Sequence, residues 1–236
     1  MASGSTNRFW QFRDGISVKF AQPDDAFLPV LKQRVDDMFS STSRRQRDCA
    51  AMYVKTATIL IWFAASYVLL VLFAATWWQA LLAAVSLGLA MASIGFNIQH
   101  DGSHSAYSSR PWINSLMAMA LDMLGGSSFF WKKTHNQIHH SFTNITGHDG
   151  DIDMGVLGRL SPHQKSRRFH RLQHLYLWIL YGFLPFKWQF IDDIRGAVTG
   201  RIGINQFSRP RGLQLMVFIA GKLLFLSLAF AIPMLV

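Results

Sequence analysis

From Thr56 to His100 the chain runs for 45 residues without a single Asp, Glu, Lys or Arg. A helix needs only roughly 20 apolar residues to cross a hydrocarbon core of about 30 Å. The stretch is therefore long enough for two crossings. It is interrupted once, at Thr76-Trp77-Trp78-Gln79, where two polar residues enclose paired tryptophans of the kind enriched at membrane interfaces. This pattern predicts two spans, 56–75 and 80–98, joined by a tight turn. Leu213–Val236 predicts a third. Lipid offers no partner for backbone N–H and C=O groups, so such segments have to be helical. The expected fold is all-α, an integral membrane helical protein with a two-span hairpin, interfacial helices and a third span.

Charge distribution sets the expected orientation. Nine of the 23 Lys and Arg residues precede residue 56, thirteen lie between Asp101 and Gly212, and Lys222 stands alone in the last apolar segment. The turn between the first two spans has none. This is the positive-inside asymmetry, which places residues 1–55 and 99–212 in the cytoplasm. The formal net charge of +10 is then read as topology plus attraction to anionic membrane lipids. With no regular basic face or recognition helix, no nucleic acid partner is expected. A bacterial inner membrane and an endoplasmic reticulum fit equally well.

Outside the spans the pattern is less regular. Residues 1–50 read as a cytoplasmic N-terminal arm without a signal-peptide pattern, in which Pro23, Pro29 and scattered Asp suggest loops. Leu28–Phe39 can form a short amphipathic helix through Leu28, Leu31, Val35 and Met38. Trp112–Leu124 has 13 residues and reaches only about 20 Å as a helix, so it is expected to be re-entrant or to lie on the surface. Leu175–Phe190, rich in Trp and Tyr and interrupted by Pro185 and Lys187, is expected to lie in the interface.

Five of the nine histidines fall into two clusters just where the chain leaves the second span. His100 and His104 form one; His135, His139 and His140 form the other. An i,i+4 pair on a helix presents both rings on one side. Neutral imidazole is a common ligand for iron, copper, zinc and nickel, so the clusters point to a metal site at the bilayer surface without choosing the metal. All 13 acidic residues are Asp. A soluble four-helix di-iron site, which needs Glu from several helices, and a His-Glu-x-x-His protease site are thereby excluded. Cys49 is the single cysteine, so neither an internal disulfide nor a Cys-rich metal site can form.

The runs His100-Asp-Gly-Ser-His104, Trp131-Lys-Lys-Thr-His-Asn-Gln-Ile-His-His-Ser-Phe-Thr-Asn144 and Gly147-His-Asp-Gly-Asp-Ile-Asp153 resemble the first two histidine boxes of membrane fatty acid desaturases. The front-end, linoleoyl-CoA (delta-6-like) branch is the most similar. The likeness extends to Leu31-Lys-Gln-Arg-Val-Asp-Asp37, His170-Arg-Leu-Gln-His-Leu-Tyr-Leu-Trp178 and Leu180-Tyr-Gly182. It implies that residues 51–236 form a fatty acid desaturase domain, with the histidines on the cytoplasmic face. It also implies a centre of two non-haem iron ions held by His100, His104, His135, His139 and His140, and O2-dependent removal of two hydrogens from an acyl-CoA or acyl-lipid. Imidazoles resist oxidation, and a neutral ligand set suits oxygen chemistry. A ligating histidine usually donates its other N–H to a partner, for which Asp101, Asn136, Asn144, Asp149, Asp151 and Asp153 are the candidates. The bland alternative for each is a turn or cap residue. His148 and His163 are not expected among the ligands, and His170 and His174 are read as polar positions on the interfacial helix.

The chain departs from that branch in lacking a Gln-x-x-His-His third box and a His-Pro-Gly-Gly haem-domain signature. Electrons are then expected from a separate electron-transfer protein of cytochrome b5 or ferredoxin type. The 236 residues alone are expected to be inactive, with the missing ligands encoded downstream. Two alternatives use the same histidines: a histidine-box hydroxylase or alkane monooxygenase, and a non-catalytic membrane metal- or haem-binding protein. The absence of charged residues from the first two spans argues against metal transport.

Overall fold

The computed structural model describes residues 27–203 and 205–236; Pro23 lies outside them. The described chain divides into two units, one ending at Arg45 and one running from Gln46 to Val236. The first contains helix α1 (Phe27–Thr42), which has no buried residue. Pro29, expected in a loop, sits in the first turn of α1, where a missing N–H costs nothing because that turn has no partner for it.

The second unit is built on α2 (Ala50–Phe73), α3 (Trp77–Ser103) and a later helix, α8 (Leu213–Leu235), each long and apolar enough to cross a membrane. Only 17 %, 17 % and 11 % of their most apolar windows are buried in the protein. Leu82, Ile61, Leu223 and Met216 are among the apolar side chains left facing outward. Lipid tails are as apolar as leucine, so close packing and interhelical hydrogen bonds have to hold such helices together. Between α2 and α3 this is done by Trp62 Nε1, which donates to Ser86 Oγ at 2.9 Å, and by the Ser66–Ser86 hydroxyl pair at 2.8 Å.

Helices α2 and α3 are longer than the apolar run predicts. Helix α2 begins at Ala50 and takes in Lys55, while α3 continues through His100 and Asp101. Backbone hydrogen bonding does not stop at the hydrocarbon edge, and the two charges meet there, with Lys55 Nζ 3.8 Å from Asp101 Oδ2. The segment expected as one short helix is two, α4 (Pro111–Ala118) and α5 (Ala120–Met123), hinged at Met119. Helix α4 crosses the end of α3 at Gly102, where a Cβ would lie 2.6 Å from Met117 Cβ and 2.7 Å from the Ala118 nitrogen. Leu124 then completes a core with Ile59, Ile94 and Ile98.

Helix α6 comprises Ser128–Trp131, Lys132–His139 and His140–Phe142 in succession. Helix α7 runs through Gln173–Lys187, Trp188–Asp192 and Asp193–Thr199, continuing past Pro185 and Lys187 where the sequence suggests an interruption. It ends at Gly200 in the left-handed region (φ 71°), and the chain makes a short hairpin, β1 (Arg201–Ile202) against β2 (Asn205–Gln206). That hairpin is a small exception to the all-α expectation.

The loop after the first histidine cluster is pinned to the start of α2. Asp48 accepts hydrogen bonds from Ser108 Oγ (2.5 Å), the Ser109 N–H (2.8 Å) and Tyr53 Oη (2.9 Å). Tyr107 is fully buried, with its hydroxyl 2.7 Å from Thr56 Oγ1. The Ser108 hydroxyl, ahead of the other donors, holds the Asp48 carboxyl well below its ordinary value of 3.8. A depressed carboxylate pKa favours the folded state above the unfolded pKa and loses that contribution as pH falls. Replacing Asp48 by Ala should lower the thermal midpoint by several degrees at neutral pH. It should also flatten the loss of stability that the parent shows below pH 3.8. Superimposable acid profiles for parent and variant would remove Asp48 from this role.

Candidate metal centre

The end of α3 carries the first cluster. A stretch with i→i+5 hydrogen bonding, Gly95–Gln99, leads into His100, whose N–H donates to the Gly95 carbonyl. The last turn is held by the His104 N–H to the His100 carbonyl at 3.1 Å. The two rings lie with centroids 4.6 Å apart.

The second cluster depends on the shape of α6. In an α-helix the ring at i+5 points about 140° away from the ring at i. Lys132–His139 is instead π-helical, and the His140 N–H donates to the His135 carbonyl. Hydrogen bonding from i to i+5 widens the turn beyond four residues, so i+4 and i+5 fall on either side of i. His139 and His140 accordingly both flank His135, with centroids 5.1 and 4.8 Å from it.

The clusters meet. A ring nitrogen from each of His100, His104, His135 and His140 lies within 4.8 Å of the others, and ring nitrogens of His135 and His139 form a second such group with a carboxylate oxygen of Asp151. Nε2 of His104 and both ring nitrogens of His135 are buried without a hydrogen bond. A buried polar atom without a hydrogen bond costs about 1–3 kcal/mol, and such atoms beside other imidazole nitrogens mark positions that an ion or water can fill. Burial, followed by the neighbouring rings, lowers the pKa of His104, and the same causes lower that of His140. Both favour the neutral form that binds metal. The donor set therefore fits a transition metal of the nitrogen-preferring kind.

Of the neighbouring polar residues, Asp149 is the one most deeply engaged. Its buried carboxylate lies 3.0 Å from His139 Nδ1 and accepts the N–H groups of Asn144 (2.8 Å) and Asp151 (3.0 Å). Burial opposes its ionisation, but the N–H of Asn144, His139 and the N–H of Asp151 together hold its pKa below the ordinary value. Asp151 Oδ2 is 3.3 Å from His139 Nδ1 and 3.5 Å from His135 Nδ1. Asn136 Nδ2 donates to the Ser103 carbonyl at 2.7 Å. Asp101 faces Lys55, Asn144 contributes its backbone from a left-handed conformation (φ 63°), and Asp153 accepts the Gly155 N–H in a turn.

His148, His163, His170 and His174 belong to neither group. His170 is not on α7 but in the turn before it, buried, with Nε2 3.0 Å from the Val156 carbonyl and Nδ1 accepting the Arg167 N–H. Trp131, which residue type alone does not mark as a site residue, stacks on His135 at 4.4 Å and 27°. Its signal was present, since it stands four residues before His135.

The family model for fatty acid desaturases matches residues 75–236. The chain is 36 % identical over 217 residues to the sn-1 linoleoyl-lipid 6-desaturase of a Synechocystis species, an alignment covering 92 % of this chain and 60 % of the relative. It is 34 % identical over 207 residues to the protein of the same name from Arthrospira platensis, with 88 % and 56 % covered. To the acyl-lipid (8-3)-desaturase of Physcomitrium patens it is 35 % identical over 215 residues, with 90 % and 45 % covered. The chain thus spans 45 to 60 % of the length of these relatives. No solved structure matches.

Asn136 joins the two clusters directly, and its removal should be felt locally. In Asn136→Ala, amide hydrogen exchange over His135–Phe142 is expected to accelerate while exchange in the middle of α2 stays as it is. Equal protection in both proteins would show that the rings are held together without this bond.

Proposed function

The chain belongs to the fatty acid desaturase family, and on that footing we propose that it acts in the oxygen-dependent desaturation of acyl chains at the membrane surface. The observation that carries this reading is the convergence of four imidazole nitrogens, from segments thirty residues apart, within 4.8 Å. The proposed holders of two non-haem irons are His100, His104, His135, His139 and His140. Such a pair of irons supplies the activation of O2, the overall balance being one O2, two electrons and two protons taken up, two hydrogens lost from the chain and two waters formed.

Everything else is work for the protein. Donation of the His139 Nδ1 hydrogen to Asp149 fixes that ring's tautomer and leaves Nε2 for the metal, the usual arrangement around ligating histidines. Trp131 buttresses the face of His135, and Asn136 sets the register between clusters. The names of the relatives, linoleoyl-lipid and acyl-lipid desaturases, support an acyl-lipid substrate over acyl-CoA. Electrons are proposed to arrive from a separate carrier of cytochrome b5 or ferredoxin type.

The same reading includes a topology. Helices α2 and α3 are proposed to form a membrane hairpin with both histidine clusters on the cytoplasmic side, supported by the basic blocks flanking an uncharged run. Cysteines introduced at Ser105 and Gly150 should then label from the cytoplasm, and one at Trp78 from the opposite side. Labelling of 105 and 150 from different sides would break the shared site.

In the natural gene product, Ala in place of His100, His104, His135, His139 or His140 should abolish the new double bond in cellular fatty acids and lower iron occupancy of the purified protein. Asp149→Ala should weaken metal binding about 10–100-fold, the usual cost of losing such a partner. His163→Ala should do neither. Wild-type turnover by His139→Ala would refute the assignment of the second cluster, and an alcohol in place of the alkene would move the reaction to hydroxylation.

A further inference from the structure

Lys222 is the only charged residue in α8, and it stands inside an apolar span. An ammonium there has to find partners, and this one is saturated. Its three hydrogens match three acceptors: the Gly125 carbonyl at 2.6 Å, the Gln189 carbonyl at 2.9 Å and Asp193 Oδ2 at 2.8 Å. The Lys222 and Asp193 side chains are only 14 % and 8 % exposed.

The acceptors are informative because of their neighbours in the chain. Gly125 lies two residues before Ser127, the cap of α6, whose hydroxyl accepts the Phe130 N–H at 3.4 Å. Asp122, buried beside Gly221, accepts the Ser128 N–H at 3.3 Å and so places a carboxylate at the start of α6. A Cβ on Gly221 would come within 2.7 Å of Asp122 Cβ, so α8 and α5 touch closely next to Lys222. From the other side, Gln189 Nε2 donates to the Leu124 carbonyl at 2.9 Å. Lys222 also lies 5.5 Å from the ring of Phe218, which in turn packs edge-on against Phe130. Every one of these contacts bears on the turn 122–130, from which the histidine-bearing π-turn begins two residues later.

A buried ion pair is no more stabilising than apolar residues of the same shape, so a gain in fold stability does not account for it. Burial pushes the carboxyls of Asp122 and Asp193 up to about 6, opposed at Asp122 first by the hydrogen bonds from Ser128 and at Asp193 first by Lys222. What the arrangement supplies is direction: three carbonyl or carboxylate oxygens from two elements are held at one point on a third. We infer that Lys222 is a positioning residue, a clamp by which the third span sets the start of α6 and thereby the placement of His135, His139 and His140. This inference rests on the proposed metal site for its functional meaning, though not for its structural content.

The test compares the parent chain in nanodiscs with Lys222→Met and with the double variant Lys222→Met/Asp193→Asn. The double variant removes both members of the ion pair, leaving Asp122 on its Ser128 donor, and should melt within a few degrees of the parent, even where the single variant fails to fold. Its Ser127–Trp131 amides should nonetheless exchange at least ten-fold faster, because the Gly125 and Gln189 carbonyls have lost their shared donor. Cobalt(II), added alone as a spectroscopic probe, should bind about ten-fold more weakly with altered ligand-field bands, a loss at the lower end of that seen when partners of metal ligands are removed. The inference is overturned by unchanged exchange, by faster exchange with unchanged cobalt binding, or by a double variant that no longer unfolds cooperatively, since the pair would then hold the fold and not the site. A parent that binds cobalt no better than His100→Ala would instead defeat the metal reading, leaving the exchange data to decide whether Lys222 clamps the helix.

Discussion

Ser103 precedes His104 and Asn136 follows His135, so the bond from the Asn136 amide to the Ser103 carbonyl links the two histidine clusters one residue away from each. Two helices that merely cross can slide along one another by a turn at little cost. A side-chain amide locked to one specific carbonyl removes that freedom, and at 2.7 Å in a half-buried setting it is well formed. One residue before Ser103, Gly102 admits the backbone of α4. Once this register is set, the spacing of the rings follows from helix geometry alone.

The long apolar helices and the irregular segments beyond their ends are held by different forces. Along α2, α3 and α8 the outward side chains are apolar, and between α2 and α3 hydrogen bonds among Trp62, Ser66 and Ser86 supplement the packing of Ile59 on Ile94 and Ile98, as expected where lipid gives no hydrophobic drive for association. Beyond the helix ends, polar groups take over: Asp48 gathers the loop after His104, and Asp149 gathers the loop after His140. Both carboxylates collect backbone N–H groups as well as side chains, which lets one residue organise several residues of irregular chain.

Much of this was legible in the residues. An uncharged run of that length has few alternatives to helix, and histidines four apart on a helix share a face. Other features were hidden for identifiable reasons. Hydropathy locates the edge of the hydrocarbon and not the end of a helix, so the extensions of α2 to Ala50 and of α3 to Ser103 were missed. Pro185 reads as a break, yet α7 passes through it, and the chain is π-helical three residues later. Asp48 lies 60 residues from Ser108, a separation at which no local pattern reveals a hydrogen bond. The π-turn carrying His135 was hidden most thoroughly, because helix type between histidines leaves no mark in composition.

That π-turn has a consequence for how such a site can vary. A π-helical turn is an α-helical one accommodating an extra residue. In the π form, positions i, i+4 and i+5 share a side; in the α form, i, i+3 and i+4 do. Removing one residue between His135 and His139 would exchange the first set of positions for the second and leave three rings facing the same way. The gap between these histidines is therefore a length that descent can change by one without passing through a blind helix face, and chains that differ there by an insertion can still be building the same centre.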